Sequence, residues 1–274
     1  MSQNLPLKVG AALPVHRLAD FRDWLFEKNR DLELQTFAMP ETLDGDWRSL
    51  ADQANSVMAG FQGRIGIHGP FLGFDISSKD PLIRAVVTQR MMQGLDVCDA
   101  VGASQMVIHS PYNLWMLNNA LNFDDNLAWV TELAHLTLAP VVKRAESQGV
   151  MLVIENIGDI DISARVRMAE SFDSASVQVS VDTGHAHLCH GSMGAHPVEY
   201  YVKAAGRMLQ HVHLQDADGH ADRHWNIGEG NILWHSVFRA IAALDSDPRL
   251  ILELRDHGGI PASMRFLEQA GLAE

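Results

Sequence analysis

The chain is short of cysteine, of positive charge and of long apolar runs, and each shortage excludes something. Its two cysteines lie far apart, Cys98 on a helical pattern and Cys189 in an expected loop. A disulfide between them is open but unsupported by their placement, and a reducing cytoplasm fits better. Lys and Arg number 21 against 34 Asp and Glu, a formal net charge of −13. Non-specific nucleic-acid binding draws most of its affinity from neutralised phosphates, so this balance argues against a nucleic-acid partner. No stretch approaches the roughly 18 to 20 continuous apolar residues of a membrane span. The start, Met1-Ser2-Gln3-Asn4-Leu5-Pro6, has no basic residue followed by an apolar block, so no signal peptide is expected. Internal repeats, low-complexity tracts and linkers are missing too, so residues 1–274 are expected to form a single domain.

What is present is an alternation. The chain is 47% hydrophobic, ample for one large core. Short β-branched or apolar runs mark strands at Leu7–Ala11, Leu32–Phe37, Arg64–His68, Gln105–His109, Met151–Glu155, Val177–Asp182, Gln210–Leu214 and Leu250–Leu254. Between them, apolar residues recur near a period of 3.6 over Pro81–Val101, Asn126–Gln148, Ala164–Phe172, Ile232–Leu244 and Ala262–Ala270. Gly102, Gly149 and Gly271 stand where helix C-caps belong. Eight strand–helix units in this length predict an α/β fold of the (β/α)8 TIM barrel type, with parallel strands and right-handed crossovers. An open doubly wound sheet fits less well. The loop after the first strand reads Leu13-Pro14-Val15-His16, without the glycines of a phosphate-binding turn.

Six consecutive strands end in a residue that can hold a metal: His68, His109, Glu155, Asp182, His213 and Glu253. In a barrel these reach the C-terminal rim, where active sites are built. His185 is expected on the loop leaving strand six, and Asp222 and His224 on the loop after strand seven. One strand-end carboxylate is more often a helix cap or ion-pair partner. Several converging on one rim repel one another, and burial raises that cost, so a cation is expected among them. Imidazole with carboxylate suits Mn, Co, Zn or Fe rather than Mg or Ca alone. The nine candidates exceed the needs of one ion and allow a site with two or three metals. His211 shares strand parity with His213 and is read as a hydrogen-bonded core residue one layer deeper. Trp225, beside His224, is a candidate substrate contact, and Arg223 and Arg255 are candidates to grip a substrate oxygen or phosphate, an ion-pair role being equally good.

Together, His68-Gly69-Pro70-Phe71, Glu155-Asn156, Asp182-Thr183-Gly184-His185, His213-Leu214-Gln215-Asp216, Asp222-Arg223-His224, Gly228-Glu229-Gly230-Asn231-Ile232 and Ile251-Leu252-Glu253 resemble the xylose isomerase-like TIM barrel superfamily. That superfamily includes sugar and sugar-phosphate isomerases and epimerases and the endonuclease IV type, AP endonuclease family 2. Resemblance to ketose epimerases implies one divalent ion on Glu155, Asp182, His213 and Glu253. Glu155 and Glu253 would then be the catalytic acid and base, and His185 a substrate contact. Resemblance to the endonuclease IV type implies three Zn ions on all nine candidates. The loop after strand two carries Glu41, Asp44 and Asp46 without Lys or Arg, and the strand-five loop adds Asp159 and Asp161. An acidic rim repels a phosphate backbone, which favours a small carbohydrate over DNA. The leading expectation is a divalent-metal-dependent sugar or sugar-phosphate isomerase or epimerase, and the alternative is a di- or trinuclear zinc phosphoesterase. A homo-oligomer is allowed, with no surface located for it.

Overall fold

The computed structural model describes residues 5–120, 122 and 126–274. Its strands are β1 (Gly10–Leu13), β2 (Leu32–Leu34), β3 (Ile65–His68), β4 (Gln105–His109), β5 (Met151–Glu155), β6 (Val177–Asp182), β7 (Leu209–Leu214) and β8 (Arg249–Leu252). Each pairs in parallel with the next, and β8 closes on β1, so the expected barrel is formed. The helices are α1 (Leu18–Glu27), α2 (Pro40–Asp44), α3 (Trp47–Val57), α4 (Pro81–Val101), α5 (Leu114–Asn118), α6 (Asn126–Gln148), α7 (Ile162–Ser171), α8 (Thr183–Met193), α9 (Val198–Ala205), α10 (Trp234–Ala242) and α11 (Ile260–Gln269). No described helix is long and apolar enough to cross a membrane.

Local chemistry accounts for the long helices. Asp80 caps α4 by accepting from the Leu82 amide, Pro81 opens it, and Gly102 closes it at φ 66°. A left-handed residue at that position costs glycine little. Asp161 caps α7 and Asp46 caps α3 in the same way.

Alternation along the strands builds two environments. Leu32, Leu34, Ile67, Met106, Ile108, Leu152, Ile154, Val212, Leu214 and Leu252 join one continuous apolar cluster with the helices. The intervening positions face inward and are largely polar: Glu33, Ser180, His211, His213 and Glu155 touch one another through side chains. Strand alternation sets both His211 and His213 on the inside of β7, and a register shift at Val179/Ser180 lies just before them.

Several expectations need correction. The first strand runs Gly10–Leu13, while Leu7 makes only an isolated bridge to Ala273. The second stops at Leu34, because Thr36–Ala38 coil into a 3-10 turn. Strand eight ends at Leu252, so Glu253 stands one residue beyond it, its amide still donating to the Leu214 carbonyl. His185 and Cys189 lie on α8 rather than in a loop. Both cysteines are buried free thiols, and burial pushes Cys98 up to about 12.

Candidate metal centre

At the barrel mouth the nine predicted residues stand in three touching groups. In the first, His68 Nε2 and His109 Nε2 lie 3.4 Å apart, each 3.7 Å from Glu155 Oε2. In the second, His213 Nδ1 lies 3.2 Å from Glu155 Oε1 and 3.5 Å from Glu253 Oε2, with Asp182 completing the set. In the third, Asp222 faces His185 Nε2 at 3.3 Å and His224 Nε2 at 3.1 Å. In every group the potential ligand atoms lie within 4.8 Å of one another, and Glu155 belongs to two groups.

The residues fit a cation. Ligands about 2.1 Å from an ion in tetrahedral array are about 3.4 Å apart, close to the spacing of the first group. Glu155 Oε2 is buried without a hydrogen-bond partner, an arrangement that costs free energy unless a cation or donor reaches it. Tautomers are set as well. His68, His185 and His224 each direct Nδ1 at a backbone carbonyl, of Gly69, Asn156 and Glu253, at 2.9–3.0 Å. A carbonyl only accepts, so Nδ1 carries the proton and Nε2 turns toward the carboxylates. His213 is reversed: Nε2 faces Glu33 Oε1 at 3.0 Å and Nδ1 faces the centre.

Supporting side chains hold the carboxylates. Asp182 Oδ1 accepts from the His185 amide at 2.7 Å as the α8 cap, and Gln215 Nε2 reaches both Asp182 and Asp222. Gln215 Oε1 accepts from the His224 amide at 2.7 Å, which helps hold His224 at φ 49°, a strained value for a side chain other than glycine. A Cβ on Gly184 would stand 2.3 Å from the Gln215 amide, so a larger residue there would push Gln215 off its partners. Gln35 Nε2 donates to Glu253 Oε1 at 2.9 Å.

The electrostatics follow from burial and proximity. Burial alone would raise Glu155, but His213, His185 and His68 hold it well below the usual carboxylate range. Burial prevails at Glu253, which is raised. Burial alone would lower His68, but the Glu155 carboxylate 3.7 Å away, with Glu33 and Glu253 further off, lifts it to about 9. His224 also reaches about 9 against burial, through Asp222. His109 is pushed down to about 3 by burial and stays neutral, able to offer a lone pair.

Glu33 was missed by sequence reasoning. Fully buried on β2, it bridges His211 at 3.1 Å and His213 at 3.0 Å. A carboxylate between two leucines of a strand was the available signal. His211 lies one layer below His213 as expected, with Ser180 Oγ 2.8 Å from its Nδ1.

The three substrate-contact candidates other than His185 are not among the residues that line the cleft. Arg223 pairs with Asp218 at 2.8 Å and lies over the Trp225 ring at 5.1 Å, and Arg255 is exposed. A cleft of about 310 Å³ opens over the centre, lined by Gln35, Met39, Phe71 and the metal-type residues. Among the described residues no Lys or Arg lines it. The rim acids are mostly engaged: Asp44 pairs with Arg90 at 2.5 Å, Asp159 with Arg165 at 3.0 Å, and Asp46 and Asp161 cap helices. The two arginine-paired acids, Asp44 and Asp159, therefore repel phosphate less than a count of acids implies.

Residues 26–270 match the family described as xylose isomerase-like TIM barrel. The uncharacterized protein MJ1311 of Methanocaldococcus jannaschii is 24% identical over 219 residues, covering 76% of this chain and 70% of that one. Among solved structures, the TTHB071 protein from Thermus thermophilus, soaked with ZnCl2, is 27% identical with a TM-score of 0.69, covering 96% of this chain and 97% of that one. A D-tagatose 3-epimerase-like protein shares the fold at a TM-score of 0.72 and 20% identity, covering 96% of each chain. So does 3-keto-D-glucoside 4-epimerase from E. coli, at 0.69 and 14%, covering 96% of this chain and 99% of that one. With its eight-stranded barrel and nine-residue mouth, the chain belongs to the xylose isomerase-like TIM barrel family.

Proposed function

We propose that this protein is a divalent-metal-dependent isomerase or epimerase of a small carbohydrate, working as one barrel unit. The observation that carries this reading is the pair Glu155 and Glu253, both buried and both facing His213 Nδ1, at 3.2 and 3.5 Å. Their surroundings push their proton affinities apart, the usual mark of an acid–base pair. Epimerases among the structural neighbours, a small cleft and a cleft wall free of Lys and Arg among the described residues point the same way.

Glu155, Asp182, His213 and Glu253 would hold the ion. When bound, a divalent cation there supplies charge stabilisation for adjacent substrate oxygens. Glu155 takes a proton from a carbon beside a carbonyl, and Glu253 returns one to the opposite face, so one C–H bond breaks and another forms. Gln35 fixes the Glu253 carboxyl for this transfer. Glu33 accepts from His213 Nε2 and so directs its Nδ1 to the centre. His185 Nε2 holds a substrate hydroxyl.

The test is solvent exchange. In D2O, metal-loaded protein given a panel of ketohexoses and sugar acids should incorporate deuterium at the reacting carbon of its substrate. Glu155→Gln and Glu253→Gln should each remove that signal. Incorporation that survives both substitutions excludes this mechanism.

A second reading has its own observation. Proton transfer at carbon gives no role to His68, His109, Asp222 or His224, which nonetheless cluster with Glu155 and His185. Three groups linked through shared or adjacent carboxylates suit a di- or trinuclear zinc phosphoesterase, in which metals replace the missing basic side chains around the phosphate. Two or three equivalents of Zn, with hydrolysis of phosphodiesters and no deuterium incorporation, would establish it over the first.

A further inference from the structure

A second chamber of about 300 Å³ adjoins the metal cleft. Phe71 and His109 line both spaces, with their rings stacked 4.1 Å apart. This stack forms the partition, and Phe71 also packs 4.9 Å from His68.

The chamber wall includes polar residues, and several of their polar atoms are already engaged. Ser110 Oγ accepts from the Tyr112 amide, and the Tyr112 hydroxyl meets Thr131 Oγ1 at 3.2 Å. Asn113 Oδ1 accepts from the Met116 amide to cap α5. Asp75 Oδ1 accepts from both the amide and the hydroxyl of Ser77. Most of the remaining wall is apolar, from the rings of Phe71, Phe74 and Tyr112 and the side chains of Ile76 and Met91. A hydroxyl-rich group placed there would lose water and gain few partners, whereas an apolar one gains from burial. Each space alone sits at the small end of ligand sites, roughly 300 to 1,000 Å³.

We propose that the substrate carries a ring-sized apolar substituent, which lies in this chamber while its oxygens occupy the metal cleft. The substrate class narrows from a free sugar to a carbohydrate bearing an aryl or alkyl group. This rests on the metal-centred reading above.

Hydroxamates provide the test, because one metal-binding head can be kept while the tail grows. Binding of acetohydroxamate, phenylacetohydroxamate and 4-phenylbutanohydroxamate to Zn²⁺-loaded protein is measured by titration calorimetry. Affinity should rise on the order of tenfold or more once the ring reaches past Phe71. Gly158→Leu fills the chamber at a permissive position, since an added Cβ meets only Asn113, at 3.9 Å. It should leave acetohydroxamate binding unchanged and abolish the gain from the tail. Phe74→Ala, which removes wall instead of filling space, should reduce the gain. Equal affinities along the series in the unaltered protein, or a gain that persists in both variants, overturns the chamber's role. Failure of acetohydroxamate itself to bind overturns the metal centre, and this inference with it.

Discussion

Beside β5 and β6, Arg165 and Asp159 are both fully buried and 3.0 Å apart. Arg165 also donates to the Ile154 carbonyl at 2.8 Å and to the Ser180 carbonyl. Inside the barrel, Glu33, Glu155, Asp182 and Glu253 are buried, and among the described residues no arginine or lysine forms an ion pair with them; histidines and amides are their close partners, and Arg249 acts on Glu33 only at longer range. The first arrangement is neutral within itself and completes the fold. The second gathers negative charge without an arginine or lysine ion pair among the described residues, and its histidines take up protons or yield to a metal. Burial of charge alone does not mark a functional site, and the kind of partner separates these two regions.

That contrast can be broken experimentally. The largest effect is expected for Glu155→Gln, which removes the carboxylate common to two groups. Turnover should fall about 10²- to 10⁴-fold, measured as initial rate, with loss of bound metal. Next, Arg165→Met strands Asp159 without its partner. Thermal unfolding should show a loss of about 3–5 kcal/mol, the same with or without chelator. If chelation alters that loss, the two regions are not independent.

A smaller effect is expected for Glu33→Gln, which weakens the support of His213 without removing a ligand. Metal affinity should drop about 10- to 100-fold by competition with a chromogenic chelator. The smallest effect concerns pH. His68 and His224 are lifted from 6.5 to about 9 in the fold. A raised pKa stabilises the fold fully below 6.5 and ceases to do so as pH climbs through 9. Chelator-stripped protein should therefore lose melting temperature between pH 7 and 9.5. Metal-loaded protein should not, because the metal displaces those protons. A parallel fall in both forms would place the titrating groups outside the centre.

Much of this was legible in the sequence where local signals were strong. The bounds of Pro81–Val101 and Asn126–Gln148 follow from long amphipathic patterns, and β4, β5 and β6 from short apolar runs ending in His109, Glu155 and Asp182. Strand-end placement of those residues was enough to put them on one rim. What escaped depends on closure. Glu33 sits mid-strand on a three-residue β2, and only closure of the barrel brings it to His211 and His213. Leu32–Phe37 reads as one strand by composition, yet Thr36 turns and its Oγ1 accepts from the Val15 amide at 2.8 Å. For Arg223 a substrate grip and an ion pair were equally good readings, because its partner Asp218, five residues back, meets it only through the fold of the loop. Gln215 was visible only as part of a motif, since its reach to both Asp182 and Asp222 is a tertiary fact.

The most direct test of a metal centre at the mouth is metal content per chain, by elemental mass spectrometry of unchelated protein and of Glu155→Gln and Arg165→Met. One or more equivalents of Mn, Co, Zn or Fe in the unaltered protein and in Arg165→Met, with substoichiometric content in Glu155→Gln, is the predicted result. No divalent metal in the unaltered protein after exposure to each ion, or full content in Glu155→Gln, would contradict it.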